Sequence, residues 1–320
     1  MSDQRHGPEI DAAGRTATAV VENVQRVIVG NDEAIEQLLA ALLGGGHVLL
    51  EDVPGVGKTM LARAIAASFD CSFKRVQFTP DLLPADITGS NVYNQQTGEF
   101  EFRPGPVFAN VVLGDEINRA PPKTQAALLE AMEEQQVTVD GETRLVPSPF
   151  VVIATQNTVE RERTYELPAA ELDRFMLKLR LGYPDRDAES EVIDRAVGGH
   201  VIDDVEPVAT VDALARAREA TSNVTVSEPI RQYVSRLAEY TRERAQLGAS
   251  PRGSIALVRA GQGRAVLAGR SFVLPDDVQA VAPVVFPHRM RTAPDEPDAD
   301  EIVAAALSNV PVEPESDGME

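Results

Sequence analysis

The 320-residue sequence is poor in cysteine, lysine and tryptophan, and it contains no long apolar run. The one cysteine, Cys71, excludes an internal disulfide and a zinc site built from cysteines. No segment approaches the ~18–20 apolar residues that a membrane span needs. The polar start of the chain, residues 1–6, does not resemble a secretory signal. We therefore expect a cytoplasmic protein with no membrane span.

Basic residues are also scarce, because 30 stand against 50 acidic residues, which gives a net charge of −20 and a pI near 4.6. Lysine occurs only four times, and the other basic residues are arginine. So negative a surface repels nucleic-acid phosphate, and no nucleic-acid partner is expected. It suits the high salt of a halophile, in which self-repulsion is screened, although a basic partner would also explain it.

Strand and helix patterns alternate in the first half of the chain, which predicts an α/β fold with a parallel sheet. The predicted α/β core spans residues 19–184, with hairpin inserts at 90–103 and 136–148. The second hairpin carries the strong turn signal Asp140-Gly141. Residues 185–310 read as an all-helical domain. The ends, residues 1–18 and 311–320, read as a loose tail and an acidic tail.

A glycine-containing loop between a buried strand and a helix is typical of phosphate binding. It runs from Glu51 to Met60, and its predicted ligand-binding residues are Pro54, Gly55, Val56, Gly57, Lys58, Thr59 and Met60. Glycines let backbone N–H groups converge on phosphate, Lys58 would reach the β- and γ-phosphates, and Thr59 would hold Mg²⁺. The first glycine of the usual GxxxxGK[ST] pattern is replaced by Asp52.

Two further buried strands end in polar residues, as expected at the ligand-binding edge of an open α/β sheet. Val111–Leu113 leads to Asp115, a predicted Mg²⁺ ligand, and to Glu116, a predicted base for the attacking water. The strand at Phe150–Ala154 leads to Asn157, which could orient that water or simply occupy a turn.

These motifs, and others in the same order over residues 20–290, resemble the MoxR family of AAA+ ATPases. The matching segments are Val27–Gly30, Gln77–Pro84, Asp115–Glu134, Leu172–Phe175 and Gly248–Arg252.

The resemblance implies an αβα P-loop core, a C-terminal helical lid and a homo-oligomer, usually a hexamer, with ATP and Mg²⁺ between subunits. It implies that Asn157 is the sensor 1 residue and that Val29 and Gly30 lie against adenine. It also implies that Arg252 is sensor 2, reaching the γ-phosphate of its own subunit. Arg174 matches the arginine finger that completes a neighbour's site, with Arg119, Arg161 and Arg163 as competitors.

The family further implies that both hairpins project from one face of the ring, where Tyr93, Phe100 and Phe102 could touch a client or form hairpin core. Departures from the family pattern are Thr158, where proline is usual, and Arg163, where glycine is usual. Gly261 and Gly263 interrupt the helix after Arg252. Each lowers helix stability by ~1 kcal/mol relative to alanine, which predicts a less rigid lid.

The expected function is Mg²⁺-dependent ATP hydrolysis that remodels or activates a partner protein. The family suggests a partner with a von Willebrand factor A domain, while the sequence identifies no client. One alternative is a nucleic-acid motor, which would need a basic pore hairpin; hairpin 136–148 carries only Arg144 against Asp140 and Glu142. Another is a nucleotide-gated scaffold with negligible turnover, which the presence of Glu116 disfavours.

Overall fold

The computed structural model describes residues 7–157, 165–197 and 205–313. Its strands, in chain order, are β1 (Val48–Asp52), β2 (Phe73–Gln77), β3 (Gly89–Asn94), β4 (Glu99–Pro104), β5 (Val111–Asp115), β6 (Gln136–Val139), β7 (Glu142–Leu145), β8 (Val151–Asn157) and β9 (Leu177–Leu179). Its α-helices are α1 (Gly7–Gln25), α2 (Asp32–Leu43), α3 (Lys58–Ser68), α4 (Pro84–Thr88), α5 (Pro122–Glu134), α6 (Ala169–Leu172), α7 (Arg186–Val197), α8 (Val211–Ser222), α9 (Glu228–Arg244), α10 (Pro251–Leu267), α11 (Pro275–Val285) and α12 (Ala299–Asn309).

Five strands form one parallel sheet in the order β2-β5-β8-β1-β9. Strands β5 and β8 begin with the apolar runs Val111–Leu113 and Val151–Ala154, which are almost completely buried because helices cover both faces of the sheet. The predicted α/β class with a parallel sheet is confirmed. Parallel pairing gives the sheet two distinct edges. The carboxyl edge holds Asp52, Asp115 and Asn157, and the amino edge holds Val48, Val151 and Leu177.

Two antiparallel hairpins, β3–β4 and β6–β7, stand outside this sheet. The second turns at Asp140 and Gly141, whose φ angles of 51° and 83° are the left-handed values that a two-residue hairpin turn requires. The Nδ2 atom of Asn91 donates a hydrogen bond of 2.9 Å to the Asp140 carboxylate, so the hairpins contact each other.

The C-terminal half is helical, and it packs directly on the first half through α10 and α2. A Cβ atom at Gly263 of α10 would lie 2.1 Å from the backbone oxygen of Ala40 in α2. The two backbones therefore touch at this glycine, and α10 runs unbroken from Pro251 to Leu267 despite Gly261 and Gly263. Among the described residues, no helix combines the length and the apolar character that crossing a membrane requires.

The prediction of a loose tail over residues 1–18 is wrong from residue 7 onward. Residues Gly7–Gln25 form α1, which buries an apolar stripe spaced three or four residues apart: Ile10, Ala13, Ala17, Val20 and Val24. This stripe packs against α3, α8 and α10. Small alanine and valine side chains gave a weak apolar signal in the sequence, although their helical spacing was present.

Candidate functional site

The loop between β1 and α3 has the conformation of a phosphate cradle. Gly55 and Gly57 adopt φ angles of 89° and 90°, and no atom lies within 4 Å of the place where a Cβ would stand at either residue. Non-glycine residues rarely adopt these angles, and a side chain would fill the space that a phosphate needs. Gly57 also precedes the first turn of α3, where the N-terminal end of the helix dipole favours an anion.

The Lys58 ammonium lies within this loop and bonds to its backbone. Its Nζ atom donates hydrogen bonds to the carbonyl oxygens of Asp52 (2.8 Å) and Val53 (3.1 Å). Burial lowers the pKa of Lys58, and the nearby carboxylates oppose that shift. The Lys58 ammonium is thus held where a bound phosphate can exchange for the two carbonyl groups.

Asp52 replaces the first glycine of the loop pattern, and the structure explains why a carboxylate is accommodated there. Its Oδ1 atom accepts the N–H of Val53 at 2.7 Å, and its Oδ2 atom accepts the N–H groups of Leu181 (2.7 Å) and Gly182 (2.6 Å). The side chain thus points away from the cradle. It fastens the loop to the segment that follows β9 and leads to α7.

Asp115 and Glu116 stand at the carboxyl edge, beside the loop. The Oδ1 atom of Asp115 accepts a hydrogen bond of 2.7 Å from the Thr155 hydroxyl, and Oδ2 accepts one of 2.5 Å from Arg75 Nη2. Glu116 adopts a left-handed backbone conformation, with φ 55°, which is rare for a non-glycine residue and frequent at functional sites.

The Glu116 carboxylate is held by two neighbours in this conformation. Its Oε2 atom accepts hydrogen bonds of 2.7 Å from Arg119 Nη1 and 2.7 Å from Gln77 Nε2. An arginine and an amide thereby restrain the predicted base. Arg119, one of the predicted competitors for an interface role, accordingly contacts the base of its own subunit.

Three residues of this network were missed by the sequence analysis: Arg75, Gln77 and Thr155. Arg75 and Gln77 alternate on β2, where Gln77 pairs in register with Asp115. Thr155 lies two residues before Asn157 on β8, and its hydroxyl also accepts the backbone N–H of Glu116 at 2.8 Å. Residues two apart on a strand share a face, so the spacing of Arg75 with Gln77 and of Thr155 with Asn157 was the available signal.

Magnesium suits the oxygen donors at this edge. Thr59 lies in the first turn of α3 and supplies a hydroxyl, and Asp115 supplies a carboxylate. In the described ranges, no group of three or more His, Cys, Asp or Glu side chains could hold a metal by itself. Mg²⁺ bound with a nucleotide needs only one or two protein ligands, because phosphate and water oxygens complete its shell.

Asn157 and Gly30 border the same region. Asn157 is the last residue of β8, it is buried, and it pairs in register with Asp52. Gly30 lines a cleft of about 620 Å³ between the start of α2, the end of β9 and the helices α11 and α12. This cleft is large enough for a nucleotide base and sugar.

Arg174 and Arg252 lie together at the opposite edge of the sheet. Arg174 Nη2 is 3.2 Å from Glu133 Oε2, and Arg252 Nη2 is 2.5 Å from Glu133 Oε1. Arg174 Nη1 also donates to the Leu129 carbonyl oxygen at 2.7 Å. The two arginines share one carboxylate in a cleft of about 270 Å³, which Arg259 and Arg289 also line.

The expectation that Arg252 reaches the phosphate of its own subunit is not met by this geometry. Helix α5 begins beyond Asp115 and Glu116 at the carboxyl edge, and its 13 residues carry the chain back to the amino edge, where Glu133 lies. At ~1.5 Å per residue this path measures about 20 Å. Because α10 is packed on α2, its first turn is held at Glu133. Arg161, Arg163 and Thr158 lie outside the described residues.

Comparisons with known proteins identify relatives along most of the chain. Residues 47–177 match the ATPase family associated with various cellular activities (AAA), and residues 237–306 match the AAA lid domain. The chain is 51% identical to the protein YeaC of Bacillus subtilis (strain 168), over 91% of this chain and 93% of that protein. It is 43% identical to Chaperone MoxR1 of Mycobacterium tuberculosis, over 86% of this chain and 75% of that protein.

Two further comparisons agree. The chain is 35% identical to Protein MoxR of Methylorubrum extorquens, over 92% of this chain and 93% of that one. A crystal structure of a candidate ATPase from Cytophaga hutchinsonii superimposes with a TM-score of 0.88 at 38% identity, covering 95% of this chain and 97% of that one.

Proposed function

Because this chain belongs to the MoxR family of AAA+ ATPases and hydrolyses ATP, we propose that it works as a ring whose turnover remodels or activates partner proteins. The observation that carries the proposal is the separation of two half-sites. The phosphate loop and its carboxylates occupy one edge of the sheet, and a pair of arginines occupies the other.

At the loop, Lys58 binds the β- and γ-phosphates after exchanging its two carbonyl partners for phosphate oxygens. Val29 and Gly30 contact the adenine beside the 620 Å³ cleft, and residues Pro54–Met60 surround the phosphates. Thr59 and Asp115 would hold Mg²⁺, which neutralises charge that develops on the phosphates. Thr155 fixes the orientation of Asp115.

Glu116 is the general base of this proposal. It takes a proton from the attacking water while Asn157 orients that water. The water oxygen bonds to the γ-phosphorus as the bond from that phosphorus to the β–γ bridging oxygen breaks, and ADP leaves with the electron pair. The bonds that Glu116 accepts from Arg119 and Gln77 both end on Oε2, so in this proposal Oε1 is the oxygen that takes the proton.

Arg174 and Arg252 complete the site of a neighbouring subunit, since they cannot reach Lys58 in their own. Glu133 holds both guanidinium groups where a neighbour's γ-phosphate would be bound. A phosphate oxyanion would replace that carboxylate and receive the two arginine forks in the transition state. A homo-oligomer follows from this division, and a six-membered ring is the form that the family favours.

The chaperone-like role is supported by a relative that bears that name and by the exposed tip of the hairpin β3–β4. Tyr93 and Phe100 contact each other there, with ring centroids 5.3 Å apart and with exposures of 53% and 72%. Phe102 instead packs on Phe108 inside the hairpin base. We propose that Tyr93 and Phe100 contact a client, for which a cytoplasmic protein with a von Willebrand factor A domain is the candidate partner.

The structure gives the nucleic-acid alternative no support, because Arg144 of the second hairpin is already engaged. Its guanidinium lies 3.9 Å from the centroid of the Phe102 ring and is paired with Glu142. The acidic surface remains best explained by a high-salt environment, which stays a prediction.

The test mixes two inactive variants. Arg174→Ala subunits keep their own Lys58 and Glu116, and Glu116→Gln subunits keep their arginine pair. Each variant alone should bind ATP and lose at least ~10²-fold in turnover. In the mixture, some interfaces join an intact Glu116 to an intact Arg174, so turnover should partly return.

Arg231→Ala serves as the control, because Arg231 forms an exposed pair with Glu228 on α9, away from both half-sites. It should retain normal turnover alone and in mixtures. If assembly is verified and the mixture stays as inactive as its components, the two-subunit site is refuted.

A further inference from the structure

One carboxylate, Asp173, joins the loop that carries Arg174 to two elements of the helical domain. Its Oδ1 atom accepts a hydrogen bond of 2.8 Å from Arg289 Nε. The hydroxyl of Ser250 lies 3.1 Å from Oδ2 and 3.3 Å from Oδ1. Ser250 is the N-cap of α10, and Arg252 follows in the first turn of that helix. Asp173 is therefore adjacent in sequence to one arginine of the pair and bonded to the cap that precedes the other.

The Arg289 guanidinium binds the backbone on both sides of Arg174. Its Nη2 atom donates to the carbonyl oxygens of Phe175 (2.6 Å) and Asp173 (3.3 Å), and Nη1 donates to that of Met176 (3.2 Å). Only 1% of the Arg289 side chain is exposed. The planar fork of an arginine can serve a carboxylate and several carbonyl groups at once, which a lysine ammonium on a flexible stem cannot do in the same geometry.

The first turn of α10 leaves room for the Arg289 side chain. A Cβ atom at Gly253 would lie 2.9 Å from Cδ of Arg289. Glycine is the residue that leaves room there, three positions after the N-cap Ser250. The sequence around Arg252 is thus fitted to the stem of Arg289 as well as to Asp173.

We propose that Arg289 is a positioning residue that sets Arg174 and Arg252 for the neighbouring subunit's nucleotide; this rests on the two-subunit site of the proposed function. Within the described ranges, the side chain of Arg174 bonds to the Leu129 carbonyl oxygen and to the Glu133 carboxylate, and both groups lie on α5. Its backbone is fixed from the helical domain, through Arg289. The neighbour's turnover consequently depends on a buried residue that never contacts nucleotide.

The primary variant is Arg289→Lys, which keeps the cation and its pairing with Asp173 but loses the fork to the three carbonyl groups. We expect turnover to fall at least tenfold, with the variant's own ATP affinity within about twofold of the wild type. Mixed with Glu116→Gln subunits, it should recover turnover, because its own Glu116 is intact. Mixed with Arg174→Ala subunits, it should not, because both lack a working arginine pair.

Arg270→Lys is the matched control. Arg270 is likewise a helical-domain arginine paired with a buried aspartate, since its Nη1 and Nη2 atoms lie 2.8 and 2.6 Å from the Asp277 carboxylate oxygens. It does not contact residues 173–176 in any described hydrogen bond. We expect Arg270→Lys to retain turnover. An equal loss in both variants would mean a general loosening of the helical domain and would overturn the positioning role.

The remaining outcomes distinguish the positioning role of Arg289 from the two-subunit site on which it rests. If Arg174→Ala is rescued by Glu116→Gln while Arg289→Lys keeps full turnover, only the positioning role is refuted. If Arg174→Ala is not rescued at all, the two-subunit site and the positioning role fall together. Should Arg289→Lys be insoluble, Asp173→Asn carries the same mixtures and the same expected results, and full turnover in that variant refutes the proposal.

Discussion

The carboxylate of Asp52 offers a sharp test of how the phosphate loop is fastened. It is buried and accepts three backbone N–H groups, from Val53, Leu181 and Gly182, at 2.6–2.7 Å. Asp52→Asn keeps the shape but turns one oxygen into an NH₂ group that faces a donor. The amide oxygen can retain the bonds to Leu181 and Gly182, while the bond to Val53 is lost.

The expected loss follows from these bonds. A hydrogen bond to a charged acceptor contributes about 1.5–3 kcal/mol, and one to a neutral acceptor about 0.5–1.5 kcal/mol. One bond removed and two weakened predict that the free energy of unfolding falls by about 3.5–6 kcal/mol. Urea unfolding followed by circular dichroism measures it, with the midpoint shifting at constant slope.

Asp295→Asn is the control, because Asp295 is exposed in the turn before α12. Its free energy of unfolding should stay within about 0.5 kcal/mol of the wild type. If Asp52→Asn has the same free energy of unfolding as the control, the carboxylate does not secure the loop to residues 181–182.

Three other changes have expected outcomes. Lys58→Ala should weaken ATP binding by roughly 10- to 100-fold in titration calorimetry, since a charge-assisted bond is lost, while the melting temperature stays near the wild-type value; an unchanged affinity would contradict the loop assignment. Gly263→Ala should destabilise the fold by about 1–3 kcal/mol, because its Cβ meets the Ala40 oxygen at 2.1 Å. A Cβ at Gly261 meets side-chain atoms of Val273, Val278 and Asp277 at 3.5–4.0 Å, which is ordinary contact, so Gly261→Ala should be neutral or stabilising in thermal unfolding. Burial lowers the pKa of His47 to about 4, below its ordinary 6.5, so the unfolded state binds the proton first and stability is lost as pH falls from 6.5 towards 4. That loss is about 2 kcal/mol at pH 5 relative to pH 7.5, and His47→Gln should remove this part of the pH dependence in denaturant unfolding.

The parts of the site that were predictable are those encoded by adjacent residues. The loop from Pro54 to Thr59 must stand between a strand and a helix, and Asp115 and Glu116 must follow a buried strand. Local sequence therefore placed them at one edge of the sheet. The network around them was not predictable, because contacts of Thr155 and Arg75 with Asp115 depend on which strands pair and in which register.

The position of Arg252 was beyond the reach of local patterns for a related reason. Its helix was predicted to begin near Ser250 and Pro251, and it begins there. Where that helix lies is decided by the contact of Gly263 with Ala40, some ten residues further along α10, and by Asp173 at its N-cap. Long-range packing of this kind leaves no periodic trace in the sequence. The glycine that suggested a weak helix was instead the point of closest approach.

The contact between α10 and α2 has a mechanical consequence for a ring. Helix α2 belongs to the first half of the chain and α10 to the second, yet both contribute to one continuous apolar core. Prising them apart would expose that core to water, at ~25 cal/mol for each Å² of apolar surface. Bending between α2 and α10 is therefore costly. In the proposed ring we expect each subunit to move as one rigid body, so that nucleotide-driven motion occurs at the interfaces between neighbouring subunits.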